Sequence, residues 1–215
     1  MLKTIAPSIY AADFANLQSA FEMVNESKAD WVHIDVMDGR FVPNFSFGYP
    51  MVETAKKHCR KVIDVHLMIV EPRKHVENFV KSGAEVLTFH YEAVEKPIDL
   101  LRQIKSLGIK AGLAVNPDVS VNKLKGLVKH ADMILLMSVF AGYGGQKFID
   151  TAYSRIKELK QVIADENPGC LIQVDGGVNT ENASKLFECG ANVLVAGTSV
   201  FGSGNPKDAI EKMLV

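Results

Sequence analysis

The sequence has no surplus of either charge. Its 24 basic side chains face 25 acidic ones, for a formal net charge of -1. It therefore lacks the basic footprint that a nucleic-acid backbone demands, and nucleic acid is not an expected partner. Cysteine is scarce: Cys59, Cys170 and Cys189 are odd in number and widely spaced. That excludes a disulfide framework and a zinc finger, and leaves isolated buried thiols. Long apolar runs are also missing. The longest, near Met133–Phe140, is far too short to span a bilayer, so no membrane is expected as a partner. The opening MLKTIAPSIYAADF is interrupted by Pro7 and Ser8 and reaches Asp13; it does not resemble a signal peptide, and the cytoplasm is the expected compartment. No linker, low-complexity tract or charge block divides the chain, so residues 1–215 read as one domain.

What the chain does have is alternation. Eight short apolar runs recur: Thr4–Ile9, Trp31–Val36, Val62–Ile69, Val86–His90, Ile109–Val115, Met133–Val139, Leu171–Val174 and Val193–Ala196. Segments of helical period lie between them. Leu17, Ala20, Phe21 and Val24 form one stripe behind a candidate N-cap, Asp13. Ile98, Leu101, Ile104 and Leu107 form another, opened by Pro97 and closed by Gly108. Tyr153, Ile156, Leu159 and Ile163 follow Asp150, and Val76, Phe79 and Val80 follow Pro72 and end before Gly83. Strands alternating with helices point to parallel βα units. A closed (β/α)8 barrel and an open doubly wound sheet both fit. A weak repeat at the helix-to-strand joins, Ala29-Asp30, Ala84-Glu85, Ala131-Asp132 and Ala191-Asn192, favours the TIM barrel, although short joins reuse turn chemistry for local reasons as well.

In such a barrel alternate side chains point inward, and functional groups gather at the C-terminal strand ends. On the second run Val32, Ile34 and Val36 face outward, and His33, Asp35 and Met37 inward. The third repeats the scheme with Val65, Leu67 and Ile69 outward, and Asp64, His66 and Met68 inward. The seventh sends Gln173 and Asp175 inward, while the first, fourth and fifth deliver Ser8, His90 and Asn116. Ionisable groups buried in a barrel need compensation. His33, Asp35, His66 and Asp175 either satisfy each other by hydrogen bonds or hold a divalent metal, and delivery from three strands at one depth favours the metal. Mixed nitrogen and oxygen donors suit Zn²⁺, Fe²⁺, Mn²⁺ or Co²⁺ alike. His58, His75 and His130 fall on helical segments and read as surface residues. Gly142-Tyr143-Gly144-Gly145 follows the sixth run, Gly176-Gly177 the seventh, and Gly197-Thr198 the eighth. Glycines recur in βα turns for steric reasons alone, but three clusters around one mouth point to phosphate binding.

These residues carry a resemblance. The stretches IAPSI (Ile5–Ile9), ADF (Ala12–Phe14), WVHIDVMDGRFVPN (Trp31–Asn44), DVHLMI (Asp64–Ile69), KAGLAVNP (Lys110–Pro117), GYGGQKFI (Gly142–Ile149), VDGGV (Val174–Val178) and VAGTSVF (Val195–Phe201) resemble the ribulose-phosphate 3-epimerase family over nearly the whole chain. The resemblance implies a ribulose-phosphate-binding (β/α)8 barrel, a ketose phosphate substrate, one divalent metal and a homo-oligomer, a dimer or hexamer. It also implies site roles. Asp35 and Asp175 match the paired acid and base; His33, Asp35, His66 and Asp175 match the metal ligands; Ser8 and His66 match sugar contacts. Gly142, Tyr143, Gly144, Gly145, Gly176, Gly177, Gly197 and Thr198 match substrate and phosphate contacts. Met37, Met68 and Met137 match the methionines lining the reacting centre, although Met137 taken alone reads as barrel packing. Two departures stand out: Phe140-Ala141 where the family usually has Asn-Pro, and Tyr10 where it often has Leu.

The implied chemistry is inversion at C3 of D-ribulose 5-phosphate to D-xylulose 5-phosphate. A single base tends to return the proton where it came from; two carboxyls on either side of a flat enediolate do not. Three rivals use the same residues. An epimerase for allulose 6-phosphate differs only in pocket length. A decarboxylase or aldolase is expected to place a lysine at a strand end, whereas Lys110 sits at the start of its run. A non-catalytic sugar-phosphate sensor has little use for both aspartates and both histidines.

Overall fold

The computed structural model describes residues 3–215; Met1 and Leu2, part of the opening stretch read for a leader, lie outside them. Eight strands, β1 (Thr4–Pro7), β2 (Trp31–Met37), β3 (Val62–Met68), β4 (Val86–His90), β5 (Lys110–Val115), β6 (Met133–Met137), β7 (Leu171–Asp175) and β8 (Val193–Ala196), form one sheet. Each pairs in parallel with its neighbours in the order β1-β8-β7-β6-β5-β4-β3-β2. A parallel bridge between Ser8 and His33 joins β1 to β2 and brings the ring round to a (β/α)8 barrel. The helices are α1 (Leu17–Glu26), α2 (Tyr49–His58), α3 (Val76–Ser82), α4 (Pro97–Ser106), α5 (Thr151–Glu166), α6 (Ala183–Cys189), α7 (Thr198–Phe201) and α8 (Pro206–Leu214). Among the described residues no helix is long and apolar enough to cross a membrane.

The period-2 pattern of the strands sorts their side chains. Val32, Ile34, Val36, Val65 and Leu67 are buried outside the ring, in one apolar cluster with helix residues such as Phe21, Val24 and Leu101. Inside the ring Ala6, Trp31, Val86, Met133, Val193 and Val195 form a floor. That apolar plug forces the polar inward residues towards the C-terminal mouth.

The repeat at the joins has a physical cause. Glu85 donates its N–H to Ile63 O at 2.9 Å, accepts Lys110 N–H at 3.1 Å on its carbonyl, and accepts Ile63 N–H on its carboxylate at 3.1 Å. Asp132 makes the same three bonds to Ala111 and Leu171, and Asn192 to Ile172 and Thr4. Each join residue thus ties three consecutive strands at the rim opposite the mouth. Asp30 is a variant: its N–H donates to Thr4 Oγ1 at 3.2 Å.

The helical stripes are displaced in detail. Asp13 caps a short 3-10 turn, Phe14–Asn16, which runs into α1. In α4 the buried positions are Pro97, Leu100, Leu101 and Ile104, while Leu107 is exposed beyond the helix end. No α-helix joins β5 to β6; Val121–Leu124 and Val128–His130 form 3-10 turns. Gly126 between them has φ +77°, and its N–H donates to the Glu166 carboxylate at 2.8 and 2.9 Å, breaking any continuous helix there.

Candidate active site

The register of β2, β3 and β7 brings the ionisable groups level. Asp35 pairs with His66 and His33 with Asp64 across β2 and β3, and Asp175 pairs with Met137 on β6. The donor atoms of His33, Asp35, His66 and Asp175 all lie within 4.8 Å of one another. Asp35 is the hub. Its Oδ1 sits 3.2 Å from His33 Nε2 and 3.3 Å from His66 Nδ1, and its Oδ2 accepts from Ser8 Oγ at 2.6 Å. Asp175 Oδ2 approaches His66 Nδ1 at 3.9 Å. His33 Nδ1 points away from the cluster onto Asp64 Oδ2 at 2.7 Å, and Gln173 Nε2 donates to the same oxygen at 2.6 Å.

This geometry separates the proton affinities of the two aspartates. Burial opposes ionisation of Asp35, but the His33 charge and the hydrogen bonds from His33 and His66 outweigh it, and its carboxyl lies well below the usual range. Burial pushes Asp175 up to about 7, and the Asp35 anion adds to the rise. Burial also works against a cation at His33, yet Asp35 and Asp64 together hold its imidazolium well above 6.5. His66 goes the other way: burial lowers it. Asp35 therefore stays a carboxylate while Asp175 keeps its proton up to about pH 7, the separation needed to move a proton between opposite faces of a substrate.

The cavity opens to solvent at the mouth and encloses about 610 Å³ with that open space counted. Ser8, Met37, Met68, Met137, Gly142, Tyr143, Gly144, Gly145, Gly176, Gly177, Gly197 and Thr198 line it with Asp35 and Asp175. His66, expected to touch the sugar, is fully buried and does not belong to the lining; it reaches the cluster through Nδ1. His75, read as a plain surface residue, is half-buried and hydrogen-bonded to Tyr49 Oη at 2.6 Å through Nδ1.

Several supports of the site carry no signal in strand or helix period. Ser46 Oγ donates to Asp35 O at 2.6 Å and accepts Met37 N–H at 2.9 Å, fixing the end of β2. Asn44 Nδ2 donates to Tyr10 Oη at 2.7 Å and to Gly142 O at 3.1 Å, tying the departure at Tyr10 to the glycine loop. Buried Arg155, on α5, donates to the carbonyls of Met137, Asn116 and Val119 at 2.8 to 3.1 Å. Ala141 N–H donates to Asn116 Oδ1 at 3.0 Å, a bond that a proline there has no hydrogen to make. None of these has a local pattern; the one available signal is an arginine two places from Tyr153 on an otherwise apolar stripe.

The chain is 44% identical to a ribulose-phosphate 3-epimerase of Bacillus subtilis, covering 97% of both chains. It is 44% identical to one of Eremothecium gossypii, over 97% of this chain and 90% of the other. To a chloroplastic ribulose-5-phosphate-3-epimerase of Arabidopsis thaliana it is 42% identical, over 96% and 74%. A solved tryptophan synthase α-subunit variant from Pyrococcus furiosus superposes with TM-score 0.73 at 17% identity over 100% and 99% of the chains. A 3-hexulose-6-phosphate synthase superposes with TM-score 0.68 at 15% identity over 99% and 98%. Those two likenesses establish the barrel alone. The profile of the ribulose-phosphate 3 epimerase family matches residues 4–201, and with that match and those relatives the chain belongs to the ribulose-phosphate 3-epimerase family of isomerases.

Proposed function

We propose that this epimerase interconverts D-ribulose 5-phosphate and D-xylulose 5-phosphate by proton transfer between Asp35 and Asp175, beside a divalent metal held by His33, Asp35, His66 and Asp175. The observation that carries the reading is the convergence of two carboxyls, Asp35 and Asp175, on one cavity, where their surroundings push their proton affinities in opposite directions. The donor set fits a metal: two imidazole nitrogens and two carboxylates converge within 4.8 Å, from strands rather than mobile loops. When bound, such a metal supplies Lewis-acid stabilisation of the negative charge that develops on the substrate oxygens.

The chain's own residues do the rest. Ionised Asp35 takes the C3 proton, and the C–H electron pair moves into an enediolate. Protonated Asp175 returns a proton to the other face of C3. Asp35 is then protonated and Asp175 ionised, so a net proton transfer back resets the pair, or the reverse reaction runs from that state. Met37, Met68 and Met137, each almost wholly buried, keep water from the planar intermediate. The glycine turns at Gly142–Gly145, Gly176-Gly177 and Gly197 offer backbone N–H groups to the phosphate. A six-carbon ketose phosphate is the second reading, favoured by half-exposed Phe140 at the cavity rim.

The test is turnover in deuterium oxide with ribulose 5-phosphate and allulose 6-phosphate side by side. Deuterium is expected at C3 of the product. Asp35→Asn and Asp175→Asn are each expected to lose at least about 10³-fold in kcat. Inversion without solvent exchange would refute the two-carboxyl scheme, and a higher specificity constant for the six-carbon sugar would move the assignment to it.

A further inference from the structure

The cavity wall offers a phosphate no cationic side chain. Among the described residues no lysine or arginine lines it; Lys147 lines the neighbouring outer cleft instead. A phosphate in the cavity is therefore held by N–H and O–H donors, and a donor on the wall that is not already engaged counts. Ser8 Oγ is engaged by Asp35 at 2.6 Å. Gln146 Nε2 is engaged by the carbonyls of Phe140 and Tyr143 at 2.7 and 2.9 Å.

Tyr10, half-buried on the same wall, is different, and Asn44 decides it. Asn44 Nδ2 lies 3.1 Å from Gly142 O and 2.7 Å from Tyr10 Oη, while its Oδ1 accepts Phe45 N–H at 3.0 Å. A carbonyl only accepts and a backbone N–H only donates, so the amide cannot be turned the other way round. The NH₂ group that faces Tyr10 has no lone pair to offer, so the tyrosine oxygen accepts. Its own hydroxyl hydrogen then has no acceptor among the described residues.

The place of the ring is also fixed. The segment from Ser8 to Ala11 runs from the reacting carboxyls to the glycine turns: Ser8 reaches Asp35, and a Cβ on Gly197 would lie 3.2 Å from Ala11 Cβ. A Cβ on Gly144 would lie 3.8 and 3.9 Å from Tyr10 Cδ1 and Cε1, so the edge of the tyrosine ring rests against the Gly142–Gly145 loop. Phe14 and Phe47 pack on the ring at 6.3 and 6.1 Å centroid to centroid.

We propose that Tyr10 is a phosphate-binding residue: while its oxygen accepts from Asn44, its hydroxyl donates to a phosphate oxygen of the bound ketose phosphate, beside the Gly144 and Gly145 backbone. The phosphate does not change during inversion at C3. The contact therefore holds ground state and transition state alike, and it acts on KM and not on kcat. The proposal rests on the ketose-phosphate reading given above.

Tyr10→Phe keeps the ring against Gly144 and removes only the hydroxyl. The Kd of inorganic phosphate, titrated by ³¹P NMR, is expected to rise at least about tenfold, the worth of a hydrogen bond to a charged group. KM for D-ribulose 5-phosphate is expected to rise by the same factor, with kcat unchanged. Because the hydroxyl also anchors Asn44, the comparison is repeated in an Asn44→Ala background, where that tie to the loop is already gone. Removing the hydroxyl there should still weaken phosphate at least about tenfold. No further loss in that background would show that the hydroxyl only braces Asn44, and would overturn the proposal. So would a Tyr10→Phe protein that binds inorganic phosphate as wild type does, or one whose KM rises while its Kd for phosphate does not, which would put the contact on the sugar. A wild type that binds inorganic phosphate but turns over no ketose phosphate would overturn the substrate reading, while the titration would still decide the role of Tyr10.

Discussion

The contact between the two glycine loops can be tested by adding one methyl group. Gly177 has φ +64°, and a Cβ there would lie 2.7 Å from Phe148 N and 3.0 Å from Phe148 Cα. Both are backbone atoms, so no side-chain rotation relieves the clash. The left-handed conformation costs an L-residue about 1–2 kcal/mol, and the overlap about 1–3 kcal/mol more. Gly108 serves as the control. It has φ +83° with nothing within 4 Å of its Cβ position, so Gly108→Ala carries the backbone strain alone. Urea denaturation should therefore show Gly177→Ala less stable than Gly108→Ala by about 1–3 kcal/mol. The second readout is function. Pushing Phe148 away displaces the Gly142–Gly145 loop from Gly177, and loss of one anion contact weakens binding about tenfold. KM for the ketose phosphate and Ki for inorganic phosphate should rise together in Gly177→Ala and stay put in Gly108→Ala. Equal stability of the two variants, or an unchanged Ki for phosphate, would refute the view that these loops form one phosphate cradle.

Arg155→Met leaves the carbonyls of Met137 and Val119 without their donor and removes one from Asn116; a stability loss of about 3 kcal/mol is expected by urea titration, and a loss under about 1 kcal/mol would mean the carbonyls find other partners. Asp175 holds its proton up to about 7 against an ordinary 3.8. Its contribution to stability is full below about 4 and is lost as pH rises through about 7, because in that window the native state binds a proton that the unfolded chain does not. Metal-free wild type should therefore lose stability more steeply between pH 5 and 8 than Asp175→Asn, and parallel curves would count against the raised value. Burial pushes the Cys170 thiol up from 9.0 to about 12, with the Asp132 charge adding to it; at pH 8 its reaction with a disulfide reagent should be about 10³-fold slower than that of an exposed thiol, becoming ordinary once the protein is unfolded in urea.

The strand faces were legible because side-chain direction in a strand has period 2. Val32, Ile34 and Val36 against His33, Asp35 and Met37 is a local pattern, and the barrel honours it. Height around the ring is not local. That Asp35 stands beside His66 and His33 beside Asp64 follows from the register of β2 on β3, which the strand sequences alone leave open. The join repeat was visible as Ala followed by an acid or amide, yet its reason, a carboxylate or amide oxygen capping the preceding strand, needs the neighbouring strand in place. Arg155 was hidden by its charge. A helical stripe read as Tyr153, Ile156, Leu159 and Ile163 leaves an arginine to solvent, whereas α5 buries Ala152, Arg155 and Ile156 and only half-buries Tyr153.

The same limit applies to the departure at Phe140-Ala141. Read along the chain, exchange of a proline for alanine loosens a loop. In the fold the alanine N–H donates to Asn116 Oδ1, Gln146 Nε2 donates to the carbonyls of Phe140 and Tyr143, and the exposed Phe140 ring is left at the rim. The stiffness a proline supplies covalently is here supplied by an acceptor 25 residues back and a donor six residues on. What the substitution alters at the mouth is therefore size and polarity more than mobility, and those are the properties that decide how long a sugar phosphate the cavity accepts.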